Sequence, residues 1–140
     1  MRKTRLEIDY RFDFSLLGLA CSMRPHRLAW ELNRALGISL TRQADHQVPE
    51  SAGETANYTS FLFETEVTSI QLFRNRSIDE GSSKWLLVPE HPRFDYILLY
   101  SSREEDKGPW ITGALKNITT IELSAFLPLA TLKSKENLIT

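Results

Sequence analysis

The chain has 140 residues, a length typical of one domain, and its hydrophobic fraction of 41% is enough for a core that needs neither a disulfide nor a metal. Its 17 basic and 18 acidic residues nearly cancel, and a pI near 6.3 argues against a general polyanion binder. A single cysteine, Cys21, excludes an internal disulfide and a multi-cysteine zinc site. No apolar run is long enough to span a membrane, and the segment MRKTRLEIDYRFDF lacks the apolar centre of a signal peptide. We therefore expect a cytoplasmic protein with no membrane contact.

The first part of the chain predicts a strand followed by a helix. Apolar residues occupy every second position over 6–16, which is typical of a strand with one buried face. The alternation then fails, and a helix is predicted over 23–36, with Ser22 as N-cap, Pro25 in the first turn and Gly37 as the C-terminal stop. Its apolar positions are Leu28, Leu32, Ala35 and Leu36.

Strands and turns follow the helix. The predicted elements are a strand at 38–41, a loop at 45–58, a hairpin of strands at 58–65 and 69–76, a turn at 79–83, and strands at 85–88 and 94–101. The polar loop contains Pro49 and Gly53, which favour an irregular backbone. Both alternating sets of positions in the last strand are apolar except at Asp95, which indicates a central strand covered on both faces.

The end of the chain completes an α+β pattern. The predicted elements are a charged loop at 103–108, a helix at 109–117, a strand at 119–127, and a tail at 132–140 that docks as an edge segment. We predict a single α+β domain over 1–140, a two-layer sandwich in which a mostly antiparallel sheet of five to six strands carries two helices on one face. A ferredoxin-like variant is the nearest common architecture.

Familiar catalytic and cofactor motifs are not found in the sequence. It contains no GxSxG elbow, Walker loop or GxGxxG. The histidines His26, His46 and His91 lack the spacing of zinc ligands. Cys21 lies near His26, but the apolar run before it favours a buried small side chain over a nucleophile. The sequence thus predicts no metal, no cofactor and no catalytic residue, and an enzyme is the less favoured class.

Two sets of charged residues are candidates for function. Asp9 and Asp13 share the polar face of the first strand, and Asp95 interrupts an apolar one, so these carboxylates either bind a ligand or form structural hydrogen bonds and ion pairs. Four arginines around the first helix form a basic surface that suits RNA or an acidic partner, or that is simply solvated. They are Arg24, Arg27, Arg34 and Arg42.

The segment VPEHPRFDY, residues 88–96, resembles the signature of the bacterial IPExxxVDY family. The matching positions are Val88, Pro89, Glu90, Phe94, Asp95 and Tyr96, with conservative changes at the first and fourth of these. The stretches DFSLLGLACS, RLAWELNRALG and LKSKENLI also resemble the family, in the same order. The resemblance implies no activity, because the family is a set of small uncharacterised proteins.

Three functional hypotheses follow. The first is a non-catalytic interaction or adaptor module with a protein partner, which uses the first helix and an exposed sheet edge. The second is a domain that binds RNA or a small ligand through the four arginines. The third is a carboxylate-dependent enzyme whose candidate acids are Glu90, Asp95, Asp9 and Asp13.

Overall fold

A computed structural model describes residues 14–50, 53–78, 85–103, 108–128 and 132–138. The strands are β1 (Ser15–Ala20), β2 (Thr41–Arg42), β3 (His46–Pro49), β4 (Thr55–Tyr58), β5 (Ser60–Glu64), β6 (Thr68–Arg74), β7 (Tyr96–Ser102) and β8 (Leu123–Leu127). The helices are α1 (Pro25–Leu36), α2 (Gly108–Leu115) and a 3₁₀ helix at Lys133–Leu138.

A six-stranded antiparallel sheet in the order β2-β5-β6-β7-β1-β8 forms the centre of the fold, and β3 pairs with β4 in a separate two-stranded sheet. The predicted α+β class, with two α-helices and a mostly antiparallel sheet, is confirmed. The predicted central strand is also confirmed, because β7 lies between β6 and β1. The predicted hairpin corresponds to β5 and β6.

Hydrophobic cores cover both faces of the large sheet. On one face, α1 and α2 pack against residues that include Leu17, Leu72 and Leu98. On the other face, Leu16, Phe73 and Ile97 join a cluster that includes the β3–β4 hairpin and the 3₁₀ helix. Because adjacent residues of one strand point into opposite cores, the sequences of the central strands are continuous apolar runs.

Helix α1 starts slightly later than predicted and has a different cap. Pro25 occupies the first turn and Gly37 adopts the left-handed conformation at φ 67°, both as expected. The prediction of Ser22 as N-cap is wrong, because Arg24 holds that position and no side chain caps the first turn. Its buried residues are Leu28, Ala29, Leu32 and Leu36.

Other boundaries also differ from the predictions. The segment 45–58 is a hairpin rather than a loop, because β3 and β4 pair in antiparallel register. Pro49 ends β3, and Gly53, at φ 75°, lies in the connection. The segment 85–88 forms one isolated bridge between Arg76 and Leu86 rather than a strand.

The ends of the chain and two short strands differ as well. The tail forms the 3₁₀ helix instead of the predicted edge segment. Of the strand predicted at 38–41, only the last residue lies in β2, and β8 covers only the second half of the strand predicted at 119–127. The alternation over 6–13 and the turn at 79–83 lie outside the described residues, as does most of the charged loop at 103–108. No helix in the described ranges is long and apolar enough to cross a bilayer.

Candidate functional site

The segment that carries the family-like motif is a corner organised by Asn75, which is 1% exposed. The Asn75 amide donates to the carbonyls of His91 and Phe94 at 3.2 and 2.9 Å, and its side-chain oxygen accepts the Val88 N–H at 2.8 Å. A backbone hydrogen bond adds to these contacts, since the Leu87 N–H donates to the Asn75 carbonyl. One buried amide therefore satisfies three backbone groups of the corner.

The two motif carboxylates bind different parts of the chain. Asp95 Oδ2 accepts the Cys21 N–H at 2.9 Å, so it joins the corner to the end of β1. Glu90 accepts the amide and the hydroxyl of Ser134 at 2.9 and 2.6 Å, at the start of the 3₁₀ helix. Burial raises the pKa of Glu90, but hydrogen bonds from Ser134 and from the backbone of Glu90 and Lys133 together leave that pKa below its ordinary value. No hydrogen bond links the two carboxylates to each other within the described residues.

The apolar residues around Asp95 predict that its carboxylate does not face solvent but accepts hydrogen bonds from backbone amides of the 88–93 corner or from an Arg guanidinium. Its carboxylate does accept a backbone amide, but the donor is Cys21, which follows β1, rather than a residue of the 88–93 corner. The expected shielding from solvent is wrong, because Asp95 is exposed. Strand alternation also predicts that Phe94 and Tyr96 face the same side. This prediction is wrong, because Phe94 lies in one core and Tyr96 in the other. Phe94 precedes β7, so strand alternation does not apply to it.

A cleft of about 500 Å³ lies where the start of α1 meets the ends of β2 and β6, and we call it the basic cleft. Arg24, His26, Arg42 and Arg74 line it, with Phe61 among the apolar contacts. Strand pairing aligns the sheet residues, since Arg42 is paired with Phe61, and the Arg74 N–H donates to the Thr59 carbonyl at 3.0 Å. Among the described residues, no carboxylate lines this cleft.

The electrostatics of the basic cleft favour an anion. The first turn of α1 contains no acidic residue and has no side-chain cap, so the helix N-terminus that borders the cleft carries positive partial charge. Arg42 forms an ion pair with Asp45 at 2.9 Å. Arg24 and Arg74 have no carboxylate within ion-pair distance in the part of the chain that the structure describes.

The four arginines predicted from the sequence separate into two groups. Arg24 and Arg42 line the basic cleft. Arg27 and Arg34 instead lie over the Trp30 ring, 5.1 and 4.9 Å from its centroid, because residues three and four positions apart are neighbours on a helix surface. Sequence reasoning missed Arg74, which ends an ordinary apolar strand and has no local signal that distinguishes it.

A smaller cavity of about 100 Å³ adjoins the basic cleft, and we call it the side cavity. The two spaces share Ser22, Met23 and Arg74, and the side cavity is also lined by Asp95 and Tyr96. The Tyr96 hydroxyl donates to the Met23 carbonyl, and burial raises the pKa of Tyr96 to about 12.

Cys21 also lines the side cavity, as a buried thiol. Burial raises the pKa of this thiol above its ordinary value, which disfavours the nucleophilic thiolate. No cluster of three or more His, Cys, Asp or Glu that suits a metal ion occurs among the described residues, which do not include Asp9 and Asp13.

Comparison with known proteins adds no relatives. No family model matches the chain, and a search of curated proteins finds no match. Membership of the IPExxxVDY family therefore stays a prediction. The fold and the clefts define the class of this protein as an α+β domain with a basic cleft at one end of its sheet.

Proposed function

We propose that this protein is a non-catalytic binding module that holds a small phosphate-bearing ligand in the basic cleft. The observation that carries the proposal is the convergence of Arg24, Arg42 and Arg74 on one cleft from three separate elements. Guanidinium groups bind phosphate oxygens through strong charge-assisted hydrogen bonds. A cytoplasmic location is part of this proposal.

The size of the basic cleft supports a small ligand rather than a nucleic-acid strand. Its volume of about 500 Å³ falls inside the range of small-molecule sites, roughly 300–1,000 Å³. Phe61 supplies apolar surface to the cleft, and its ring lies beneath Arg42, whose guanidinium is 6.0 Å from the ring centroid. The chain as a whole has a formal charge of −1, so attraction for anions is local.

Calorimetric titration with inorganic pyrophosphate at low salt tests the proposal. We expect saturable binding that weakens as salt is added, because the contacts are ionic. Arg24→Ala and Arg74→Ala should each weaken it several-fold. Arg34→Ala removes the same charge from a residue outside the basic cleft and should leave the affinity unchanged.

Two outcomes would count against the site. Absence of saturable binding would reject the proposed function. An equal loss in Arg34→Ala and the cleft variants would show that general charge, rather than the basic cleft, attracts the anion. Retention on an RNA column with no affinity for pyrophosphate would favour the RNA alternative instead.

A second candidate, the adaptor module with a protein partner, is supported by Trp30. This side chain is 48% exposed and is flanked by two guanidinium groups, and exposed Trp and Arg are the residues most enriched at binding hot spots. A stoichiometric partner that is lost with Trp30→Ala and retained with Arg74→Ala would support this function. A partner that is indifferent to Trp30→Ala would contradict it.

A further inference from the structure

We propose that the ligand of the basic cleft carries two phosphate groups joined by a short link, and that Arg76 in the side cavity binds the second of them. This inference rests on the proposed function and adds the class of ligand. It starts from the continuity of the two spaces, since Ser22, Met23 and Arg74 line both. A ligand bound by Arg74 therefore lies where the basic cleft meets the side cavity.

The side cavity continues the positive charge of the basic cleft. Arg74 and Arg76 both line it, and among the described residues Asp95 is the one carboxylate that does so. Two guanidinium groups and one carboxylate leave an excess of one positive charge around this cavity. A wall of that sign attracts a second anionic group of a ligand that already occupies the basic cleft.

The backbone places the two arginines next to each other. Burial alternates along this segment, since Arg74 and Arg76 are exposed and Asn75 between them is buried. Arg74 ends β6, and a bridge to Leu86 holds the backbone of Arg76. Two residues of chain span at most about 7 Å, so both side chains start from neighbouring points. This spacing suits two phosphate groups on one molecule that are separated by only a few bonds.

The two spaces divide the work of binding between them. Arg24 and Arg42 face the first phosphate in the basic cleft, and Arg76 faces the second in the side cavity. Arg74 lines both spaces, and a guanidinium has five N–H donors, so this one side chain can bind oxygens of both groups. The three hydrogen bonds of the Asn75 side chain fix the backbone between Arg74 and Arg76 before any ligand arrives, which reduces the ordering cost of binding.

Calorimetry with three probes at one ionic strength tests this inference. The probes are propyl phosphate, pyrophosphate, and propanediol phosphorylated at both ends. Any basic surface prefers the more highly charged probes, so the decisive comparison is between variants. Arg76→Ala should weaken at least one of the two-phosphate probes roughly fivefold and leave the affinity for propyl phosphate unchanged. Arg93→Ala is the matched control, because it removes the same charge from a residue of the corner that lines neither space.

Asp95→Asn gives a second test with the opposite sign. The asparagine carbonyl still accepts the Cys21 N–H, but the negative charge that opposes the second phosphate is removed. The two-phosphate probe that responds to Arg76→Ala should therefore bind several-fold more tightly to Asp95→Asn, and propyl phosphate should change less. This variant also keeps the inference testable if Arg76→Ala does not fold.

The outcomes separate the two proposals. An equal effect of Arg76→Ala on all three probes, no effect on any of them, or an equally large loss in Arg93→Ala would overturn the two-phosphate ligand and leave the anion-binding function standing. If none of the three probes binds the unmodified protein, the proposed function is wrong and this inference fails with it. Arg24→Ala is the control for the basic cleft, and it should weaken all three probes.

Discussion

At the scale of single residues, the corner that carries the family-like motif depends on a side chain outside that motif. Asn75 directly follows β6, and its side chain forms three hydrogen bonds with the backbone of Val88, His91 and Phe94. Its place in an Asn-Arg-Ser sequence would also mark a glycosylation acceptor, yet its 1% exposure leaves no room for a glycan. Its role is structural.

Asn75→Ala should lower the free energy of unfolding by about 2–4 kcal/mol, because it leaves several backbone groups of the corner without partners. Asn75→Asp should destabilise the protein further, since a carboxylate would face the carbonyls of His91 and Phe94. Urea denaturation checks both. Parental stability in Asn75→Ala would contradict the assignment of Asn75 as the organiser of the corner.

Asp95 is expected to contribute less, because its carboxylate is exposed on one side. Asp95→Ala should cost about 1–2 kcal/mol by depriving the Cys21 N–H of its acceptor. Asp95→Asn should cost less, because the partner is an amide and the asparagine carbonyl still accepts it. Thermal melts of the two variants measure this order. The reverse order would indicate that the charge, and not the hydrogen bond, stabilises the fold.

At the scale of elements, the packing of the corner against β1 requires a glycine in that strand. A Cβ at Gly18 would lie 2.5 Å from the ring of Phe94, which is itself buried. Only glycine allows the ring to pack directly on the β1 backbone. This contact holds the corner against the sheet.

Gly18→Ala should therefore destabilise the protein by about 1–3 kcal/mol through overpacking. Adding Phe94→Leu should recover part of that loss, because a smaller side chain leaves room for the methyl group. The four proteins of this double-mutant cycle can be compared by urea denaturation. Strictly additive effects would show that the two residues are not in energetic contact.

The attachment of the 3₁₀ helix at Lys133–Leu138 should depend on pH. The pKa of Glu90 is lowered in the folded protein, so its stabilising effect is complete above the ordinary value of 4.5 and is lost as the pH falls through the folded value. The effect is small because Glu90 is exposed. The protection of the Ser134 amide against hydrogen exchange, measured relative to the intrinsic rate at each pH, should decrease on acidification through that range.

The matched control for this prediction is Glu90→Gln, which still accepts hydrogen bonds but does not titrate. Its exchange at Ser134 should show no acid-induced step beyond the intrinsic pH dependence of exchange. If the parent and Glu90→Gln proteins respond identically to acid, the attachment does not depend on the ionisation of Glu90.

At the scale of the whole molecule, two cores share one sheet, and the reactivity of Cys21 shows whether the core that contains α1 and α2 stays closed. The thiol is 3% exposed, and burial raises its pKa, so thiol reagents should react only when the structure opens. We expect slow labelling that accelerates with urea, and fast labelling of the unfolded chain. Labelling at the unfolded rate in native buffer would contradict the burial of Cys21.

Local patterns in the sequence were sufficient for the elements whose signals are also local. Helix α1, its Pro25 start and its Gly37 stop follow from helical spacing and backbone preferences, and the central position of β7 follows from apolar residues on both faces. The hairpin of β3 and β4 was missed because its strands are short and its proline and glycine also favour a loop. The 3₁₀ helix was missed because its charged residues have no clear periodicity.

The candidate site was decided by tertiary structure. Arg24 and Arg42 were recognisable as basic residues, but only strand pairing and the packing of α1 bring them to Arg74, which is distant in sequence. Arg34 instead lies over Trp30, away from the cleft, because the two residues are neighbours on the surface of α1. The sequence by itself determined the α+β class, the first helix and the buried central strand, because spacing and backbone preferences act over a few neighbouring residues. The cleft depends on contacts between distant segments, which no local pattern encodes.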